Sequence, residues 1–283
     1  MDGLDFNITV VGLGLIGGAF AMGLRELRPK NLWGIDIDEN TIETAEKMGI
    51  IDKGFSNAEI PLKDSDIVII ALYPNFTEKF IKENNEFFKS GAIITDSAGI
   101  KETLVTNVNA FIREDVDFIG GHPMAGRESK GLGYACKDIF HNANYILTPI
   151  EKNKIKNINI LENIIKKLGC KNVVKIHPRT HDDIIAYTSH LPHIIAVALV
   201  NSDLLPRETE RFIAGGFKDV TRIADSNAVL WAELLMCNAE NIINKLEIFE
   251  EKIKVIKNAL IEKNEDDIKA EFESAGVRRR GLT

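Results

Sequence analysis

The sequence contains few cysteines, no surplus of basic charge and no long hydrophobic run. Its three cysteines are scattered and absent from any CxxC pair, so we expect reduced thiols in a cytoplasmic protein. With 35 Lys and Arg against 42 Asp and Glu, the net charge of −7 argues against nucleic acid or an anionic membrane as the main partner. The longest apolar run, residues 194–200, is far shorter than a membrane span.

The N-terminal half alternates short β-branched runs with helical patterns, which is typical of a parallel sheet covered by helices. Fully apolar runs such as IVIIAL predict strands that are buried on both faces of the sheet. The predicted strands are residues 7–11, 31–36, 67–71, 92–96, 117–121, 143–147 and 173–176. The predicted helices between them are residues 17–28, 40–48, 77–89, 101–112 and 157–168.

Strand signals nearly vanish after residue 180. Apolar positions recur there at helical spacing, and the predicted helices are residues 181–200, 207–218, 225–249 and 250–275. The segment LPHIIAVALV is apolar on more than one side, which predicts a helix buried between others. The C-terminal part of the chain is therefore predicted to be all-α.

A glycine-rich motif follows the first predicted strand and opens the first predicted helix. In such a loop, Gly12 makes the tight turn, Gly14 lets a pyrophosphate approach the backbone, and Gly17 lets the helix pack on the strand. The helix N-terminus then favours the anion. The whole predicted loop comprises Gly12, Leu13, Gly14, Leu15, Ile16 and Gly17.

Asp36 ends the next predicted strand, 24 residues after Gly12. A carboxylate there binds ribose hydroxyls and repels a 2′-phosphate, and no arginine follows it directly, so NAD is favoured over NADP. The alternative is a glycine-rich turn with a surface aspartate. We predict a Rossmann-type, doubly wound parallel α/β domain over residues 1–178, followed by an all-α domain over residues 179–283.

His122 lies in the sequence GGHPMAG, directly after a predicted strand. Ligands of open α/β sheets bind at the carboxyl ends of the strands. A histidine there is a candidate general base for an alcohol whose carbon loses hydride, because its ordinary pKa lies near neutrality. The alternative is a loop histidine beside a rigid proline turn.

His190 and His193 lie three residues apart on the first helix of the second domain, so their imidazoles share one face. We expect one to contact a substrate and the other to pack. Residues 181–183 offer only a loose set of further metal ligands, so we expect no metal site. Farther along, Arg222 is a candidate to bind a substrate carboxylate or, alternatively, to pair with Asp219 within a helix.

Taken together, these motifs resemble the prephenate/arogenate dehydrogenase family of tyrosine biosynthesis. The matching segments are GLGLIGG, GIDID, DSAGIK, GGHPMAGRE, TSHLPHIIAVAL and FKDVTRIADSNAVLW, which span nearly the whole chain. GHPMAG, SHLPH and DVTRIA, in this order and spacing, are the most specific of them.

The resemblance implies oxidation of prephenate by NAD+, with loss of CO2 to give 4-hydroxyphenylpyruvate. It implies that His122 takes the proton of the C4 hydroxyl, that Arg222 binds a substrate carboxylate, and that His193 binds a second polar group. The other expected substrate contacts are Ser189, Arg127 and Trp231, and the other expected cofactor contacts are Asp96 and Ser97. The family's helical domain forms a dimer interface, so the resemblance implies a homodimer through the C-terminal helices.

One position departs from the family pattern Asp-x-x-Ser-x-Lys, because Gly99 stands where the serine is expected. The hydrogen-bond partner of His122 is therefore open, with Ser97, Ser129 or water as candidates. We expect activity to survive without the serine. We also expect neither a chorismate mutase bundle nor an amino-acid-sensing domain, so feedback by tyrosine would act at or near the active site.

Three other functions compete with prephenate dehydrogenation. Arogenate differs from prephenate only in an amino group, and Arg127 and Glu128 would favour opposite choices, so the sequence leaves this open. A hydroxyacid dehydrogenase-like enzyme shares the two-domain build but lacks the three specific motifs. A non-catalytic NAD(H) sensor would need neither His122 nor Arg222 at a ligand-facing edge.

Overall fold

The computed structural model describes residues 3–126, 129–203 and 208–282. An eight-stranded sheet occupies the N-terminal part, with strand order β3-β2-β1-β4-β5-β6-β7-β8. Its strands are β1 (Leu4–Val11), β2 (Pro29–Ile35), β3 (Lys53–Phe55), β4 (Ile67–Ile70), β5 (Ile93–Asp96), β6 (Asp117–Pro123), β7 (Asn144–Thr148) and β8 (Asn172–Lys175). The helices of this part are α1 (Leu15–Glu26), α2 (Glu39–Lys47), α3 (Glu59–Asp64), α4 (Pro74–Glu83), α5 (Glu102–Phe111) and α6 (Ile155–Lys167).

The sheet is buried on both faces, as its apolar strands predict. All four residues of β4 are buried, and they alternate between two hydrophobic clusters. Ile67 and Ile69 pack on one side with α1, whereas Val68 and Ile70 pack on the other with α5. This double covering by helices confirms the predicted Rossmann-type α/β architecture.

Two details of the sheet differ from the prediction. β7 runs antiparallel to β6, whereas every other pair of neighbouring strands is parallel. The short elements β3 and α3 were not predicted. β3 has only three residues, none of them buried, so its sequence lacks the apolar alternation by which a strand is recognised.

The C-terminal part is helical, as predicted, although its boundaries differ. Its helices are α7 (Pro178–Ile185), α8 (Leu191–Asn201), α9 (Gly215–Thr221), α10 (Ala228–Cys237), α11 (Ala239–Glu262) and α12 (Glu265–Arg280). The predicted helix over residues 225–249 is divided at Asn238, and the predicted boundary at residue 250 falls inside α11. The chain turns instead at Lys263, which adopts a left-handed conformation, and Asn264 caps α12.

A wide π-helical turn, Ala186–His190, joins α7 to α8 in one continuous helical stretch. The amide of Leu191 donates to the carbonyl of Ala186, five residues earlier. Pro192, which follows, lacks an N–H and is incompatible with a regular α-helical turn before it, and the wider turn accommodates it. Turns of this kind are frequent at functional sites, and this one carries Ser189 and His190.

Candidate active site

A cavity of about 640 Å³ lies at the carboxyl edge of the sheet, where the helical part closes over it. The sheet part contributes Gly14, Ser97, Gly99 and His122 to its lining. The helical part contributes Ser189, His190, His193, Arg222 and Trp231. The structure thus brings predicted residues from all three groups to one cavity, whereas five predicted cofactor residues are not among its lining residues, namely Gly12, Leu13, Gly17, Asp36 and Asp96. Arg127 lies outside the described residues.

The glycine loop has the geometry that a dinucleotide needs. Gly12 has a φ of +80°, and a Cβ on it would lie 2.7 Å from the carbonyl oxygen of Ala71. A Cβ on Gly17 would lie 1.7 Å from the carbonyl oxygen of Gly12, so only glycine lets the helix approach the loop. Gly14, by contrast, faces open space at the start of α1, where no side chain caps the helix. Uncapped amides beside open space fit a pyrophosphate.

Asp36 follows β2 and braces the loop directly. One of its carboxylate oxygens accepts a hydrogen bond from the amide of Leu13 at 2.7 Å, and the other accepts one from the amide of Asp38 at 3.0 Å. This places a carboxylate beside the glycine loop, as a ribose-binding acid requires.

Asp96, which was expected at the cofactor, lies beneath the cavity and is fully buried. Its carboxylate forms an ion pair with the fully buried Lys101 and accepts from the amides of Ala98 at 2.9 Å and Gly121 at 3.0 Å. It therefore fixes the loop after β5 against β6. Ser97, its neighbour, does line the cavity.

His122 stands at the end of β6 and begins a chain of hydrogen bonds. Its Nδ1 lies 2.8 Å from Nε2 of His181, and Nδ1 of His181 lies 2.6 Å from Oδ1 of Asp182. Asp182 also accepts from the amides of Lys101 and Glu102, each at 2.8 Å. The partner that the structure gives His122 is thus neither Ser97 nor Ser129 but a second histidine, which comes from α7 and bonds Nδ1, whereas Gly99 lies nearer Nε2.

Burial lowers the pKa of three histidines at this site. Desolvation lowers the pKa of His122 well below its ordinary value, and the nearby His181 and Lys101 lower it further. Desolvation also lowers the pKa of His181, against the opposing effect of Asp182. The pKa of His190 falls to about 4, chiefly because of its burial. A neutral His122 is able to accept a proton at physiological pH.

The two histidines that were predicted to share a helix face both contact Trp231. The ring of His193 stacks on the indole, with 3.6 Å between the ring centroids and an interplanar angle of 26°. The buried His190 meets the indole edge-on, with 5.9 Å between the centroids. Nδ1 of His193 donates to the carbonyl oxygen of Ser189 at 2.8 Å, because a carbonyl can only accept. Both histidines and Trp231 line the cavity.

The charged side chains that the structure describes in the cavity lining are all cationic. Among its lining residues that the structure describes, the charged side chains are Arg222 and Lys130, and no carboxylate is present. Arg222 begins a short helical turn, Arg222–Ala224, and is exposed. Within the described ranges, no group of three or more His, Cys, Asp or Glu side chains could hold a metal ion. The cavity is suited to an anionic organic ligand.

Sequence reasoning missed three residues of the site as functional groups, namely His181, Asp182 and Asn238. From the sequence, His181 and Asp182 are candidates only as metal ligands. Asn238 donates to the carbonyl oxygen of Asp182 at 2.8 Å and approaches Nδ1 of His190 at 3.3 Å. The adjacent His-Asp pair in the first turns of a helix was the available signal, but its partner on β6 lies 59 residues earlier in the chain.

Comparison with known proteins agrees with this geometry. Residues 20–174 match the family model of the prephenate dehydrogenase nucleotide-binding domain, and residues 177–274 match that of the prephenate dehydrogenase dimerization domain. The chain is 32% identical to a prephenate dehydrogenase of Bacillus subtilis, covering 100% of this chain and 77% of that protein. It is 24% identical to a cyclohexadienyl dehydrogenase of Zymomonas mobilis, covering 98% and 96%.

A solved structure is also closely similar. It is the crystal structure of prephenate dehydrogenase from A. aeolicus in complex with hydroxyphenyl propionate and NAD+. The TM-score is 0.90 at 27% sequence identity, and the match covers 100% of this chain and 99% of that chain.

Proposed function

The chain belongs to the prephenate dehydrogenase family, and from this premise we propose that it converts prephenate and NAD+ to 4-hydroxyphenylpyruvate, CO2 and NADH in tyrosine biosynthesis. The observation that carries the proposal is the convergence of the glycine loop, His122 and Arg222 on one cavity. Each of the three supplies one requirement of the reaction, namely a cofactor site, a base and an anchor for a carboxylate.

NAD is the cofactor, and the residues present fit it. The amides at the start of α1 would hold the pyrophosphate, with Gly14 leaving the approach open and Asp36 beside the ribose. When bound, NAD+ accepts a hydride from the ring carbon that carries the hydroxyl group.

His122 is the proposed general base. Its neutral Nε2 accepts the proton of the C4 hydroxyl as that carbon is oxidised. The bond between the ring and its carboxylate then breaks, CO2 leaves, and the electron pair completes the aromatic ring. The proton held on His122 returns to the phenolic oxygen of the product, so the base is regenerated within one turnover.

The helical side of the cavity is proposed to select the substrate. Arg222 binds a carboxylate of prephenate, His193 binds a second polar group, and Ser189 and Trp231 border the ring. We propose prephenate rather than arogenate because the charged side chains among the described lining residues, Arg222 and Lys130, are cationic. Glu128, which would favour the ammonium group of arogenate, lies outside the described residues. Arg127 stays a predicted substrate contact.

We propose a cytoplasmic homodimer that joins through the C-terminal helices. The matched C-terminal family model is a dimerization domain.

The segment Pro178–Asn201 is long and apolar enough to cross a membrane by composition alone, with 28% of its most apolar stretch buried. It also carries the buried polar groups of His181, Asp182 and His190, which a bilayer would disfavour. A partner subunit covering its exposed Val197 and Val200 accounts for the same apolar surface. We place the boundary between the two domains near residue 178.

The test is NADH formation by the purified protein with NAD+ and either prephenate or arogenate, in parallel reactions. We expect turnover with prephenate and much less with arogenate. NADP+ in place of NAD+ should support little activity because of Asp36. If the protein binds NAD+ yet turns over neither substrate, the proposal fails, and the hydroxyacid dehydrogenase and sensor alternatives take its place.

A further inference from the structure

We propose that His181 and Asp182 are positioning residues that hold His122 in the one tautomer able to act as a base. The inference rests on the proposed function, because it concerns the proton that His122 takes from the substrate. It stands on a continuous hydrogen-bond chain that links β6 to α7, with distances of 2.8 Å and 2.6 Å between its three side chains.

The direction of both hydrogen bonds follows from Asp182, the last residue of the hydrogen-bond chain. The side-chain oxygens of Asp182 accept from two backbone amides, so they serve as acceptors for Nδ1 of His181 as well. A neutral His181 that donates from Nδ1 has only a lone pair on Nε2. Nδ1 of His122 must therefore donate to it, and the lone pair of His122 is fixed on Nε2.

That lone pair lies on the side of the imidazole where a reacting hydroxyl is needed. A Cβ on Gly99 would lie 3.9 Å from Nε2 of His122, and both residues line the cavity. Because residue 99 is a glycine, no side chain at that position orients Nε2. The orientation of the ring is thus left to the contact at Nδ1, on the far side of the imidazole.

The chain is anchored at its far end by two separate elements. The side chain of Asp182 caps α5 by accepting from the amides of Lys101 and Glu102, where the helix has no cap of its own. Asn238, at the break between α10 and α11, donates to the carbonyl oxygen of Asp182. When His122 takes a proton, its positive charge faces, through His181, a carboxylate that does not need to move.

The first experiment compares Asp182→Asn with Asp183→Asn. An asparagine at residue 182 removes the negative charge that stabilises a proton on His122, and its NH2 group stands where Asp182 accepts from a backbone N–H of α5. We expect kcat with prephenate to fall by about 100-fold to 10,000-fold, the range over which general-base catalysis acts. Asp183 pairs with Lys245 at the surface, so Asp183→Asn is the matched control and should retain the wild-type rate.

A second measurement reports the tautomer without any substrate. In protein labelled with ¹⁵N-histidine, His122 is assigned as the imidazole signal that disappears in His122→Asn. We expect its proton on Nδ1 in the wild type. A wild-type proton on Nε2 overturns the proposal, whether or not prephenate is turned over. If the wild type is inactive but carries the proton on Nδ1, the proposed function is overturned, whereas the proposed role of His181 and Asp182 stands.

A third comparison covers the case in which Asp182→Asn fails to fold through loss of the α5 cap. His181→Gln keeps an oxygen that can accept from His122 but loses the link to Asp182, whereas His181→Leu loses both. We expect the glutamine variant to retain at least about tenfold more activity than the leucine variant, and to keep the proton of His122 on Nδ1. Equal rates in the wild type and His181→Leu would overturn the proposal.

Discussion

The cavity has two walls that differ in how deeply their side chains are buried. The reaction centre is defined here as His122, His181, Asp182, Asp96 and Lys101. The recognition wall is defined as Ser189, His193, Arg222 and Trp231. In the reaction centre every side chain has a protein partner, and all but His122 are buried. In the recognition wall, Arg222 is exposed and the indole of Trp231 is held by stacking on His193.

The difference matches the two tasks of the enzyme. Proton transfer needs one tautomer and a desolvated imidazole, and both require fixed, buried partners. Recognition of a carboxylate needs a cation that can meet it from solvent, which an exposed arginine provides. We therefore expect changes in the reaction centre to affect kcat, and changes in the recognition wall to affect KM.

The largest effect is expected for His122→Asn. Loss of the proposed base should lower kcat by about 100-fold to 10,000-fold, the range over which general-base catalysis acts. The affinity for NAD+ should stay unchanged, since the glycine loop lies on β1 and α1. Steady-state kinetics and a binding titration measure the two quantities separately. A variant with near wild-type kcat would remove His122 from the mechanism.

Arg222→Gln should show the opposite pattern. Removing a hydrogen-bonded charge on the substrate should raise KM for prephenate by about 10-fold to 100-fold. kcat at saturation should change much less, because the reaction centre is untouched. Arg222→Lys is the control. Its KM for prephenate should lie between those of the wild type and Arg222→Gln, because lysine keeps the positive charge but cannot bind a carboxylate bidentately. A fall in kcat with KM unchanged would contradict the division of the two walls.

Stability should depend on pH through the buried imidazoles. The pKa of His190 is lowered to about 4 in the folded protein, against 6.5 when unfolded, so the unfolded state binds protons more readily between these values. Its contribution is complete above pH 6.5 and is lost as the pH falls toward 4. From pH 7 to pH 5 it should remove about 2 kcal/mol from the free energy of unfolding.

Denaturant titrations at the two pH values, on the wild type and on His190→Gln, measure this contribution. The variant should lose less stability between pH 7 and pH 5 than the wild type does. Equal losses would mean that His190 is not held neutral by the fold. The lowered pKa values of His122 and His181 act in the same direction in both proteins, so they cancel in the comparison.

The sequence predicted those parts of the site that follow from local patterns. Gly12 and Gly17 are needed by the turn itself, and His122 lies at the carboxyl end of a strand, the edge at which sheets of this kind bind ligands. The pairing of His122 with His181 could not be predicted, because it depends on how α7 packs against β6. The break at Asn238 was hidden for a similar reason, since apolar spacing continues across it.

The smallest effect is expected where the sequence departs from its family. Gly99→Ser would place a hydroxyl near Nε2 of His122, with its Cβ 3.3 Å from a methyl group of Leu234, which must shift slightly. Because His181 and Asp182 already fix the tautomer, we expect kcat to change by less than about tenfold. A gain of several orders of magnitude would show that the wild-type reaction centre lacks an essential hydroxyl. A small change would show that orientation of the His122 ring through Nδ1 is sufficient. The reaction centre then tolerates the missing serine because His181 and Asp182 hold the imidazole from the side that faces away from the substrate.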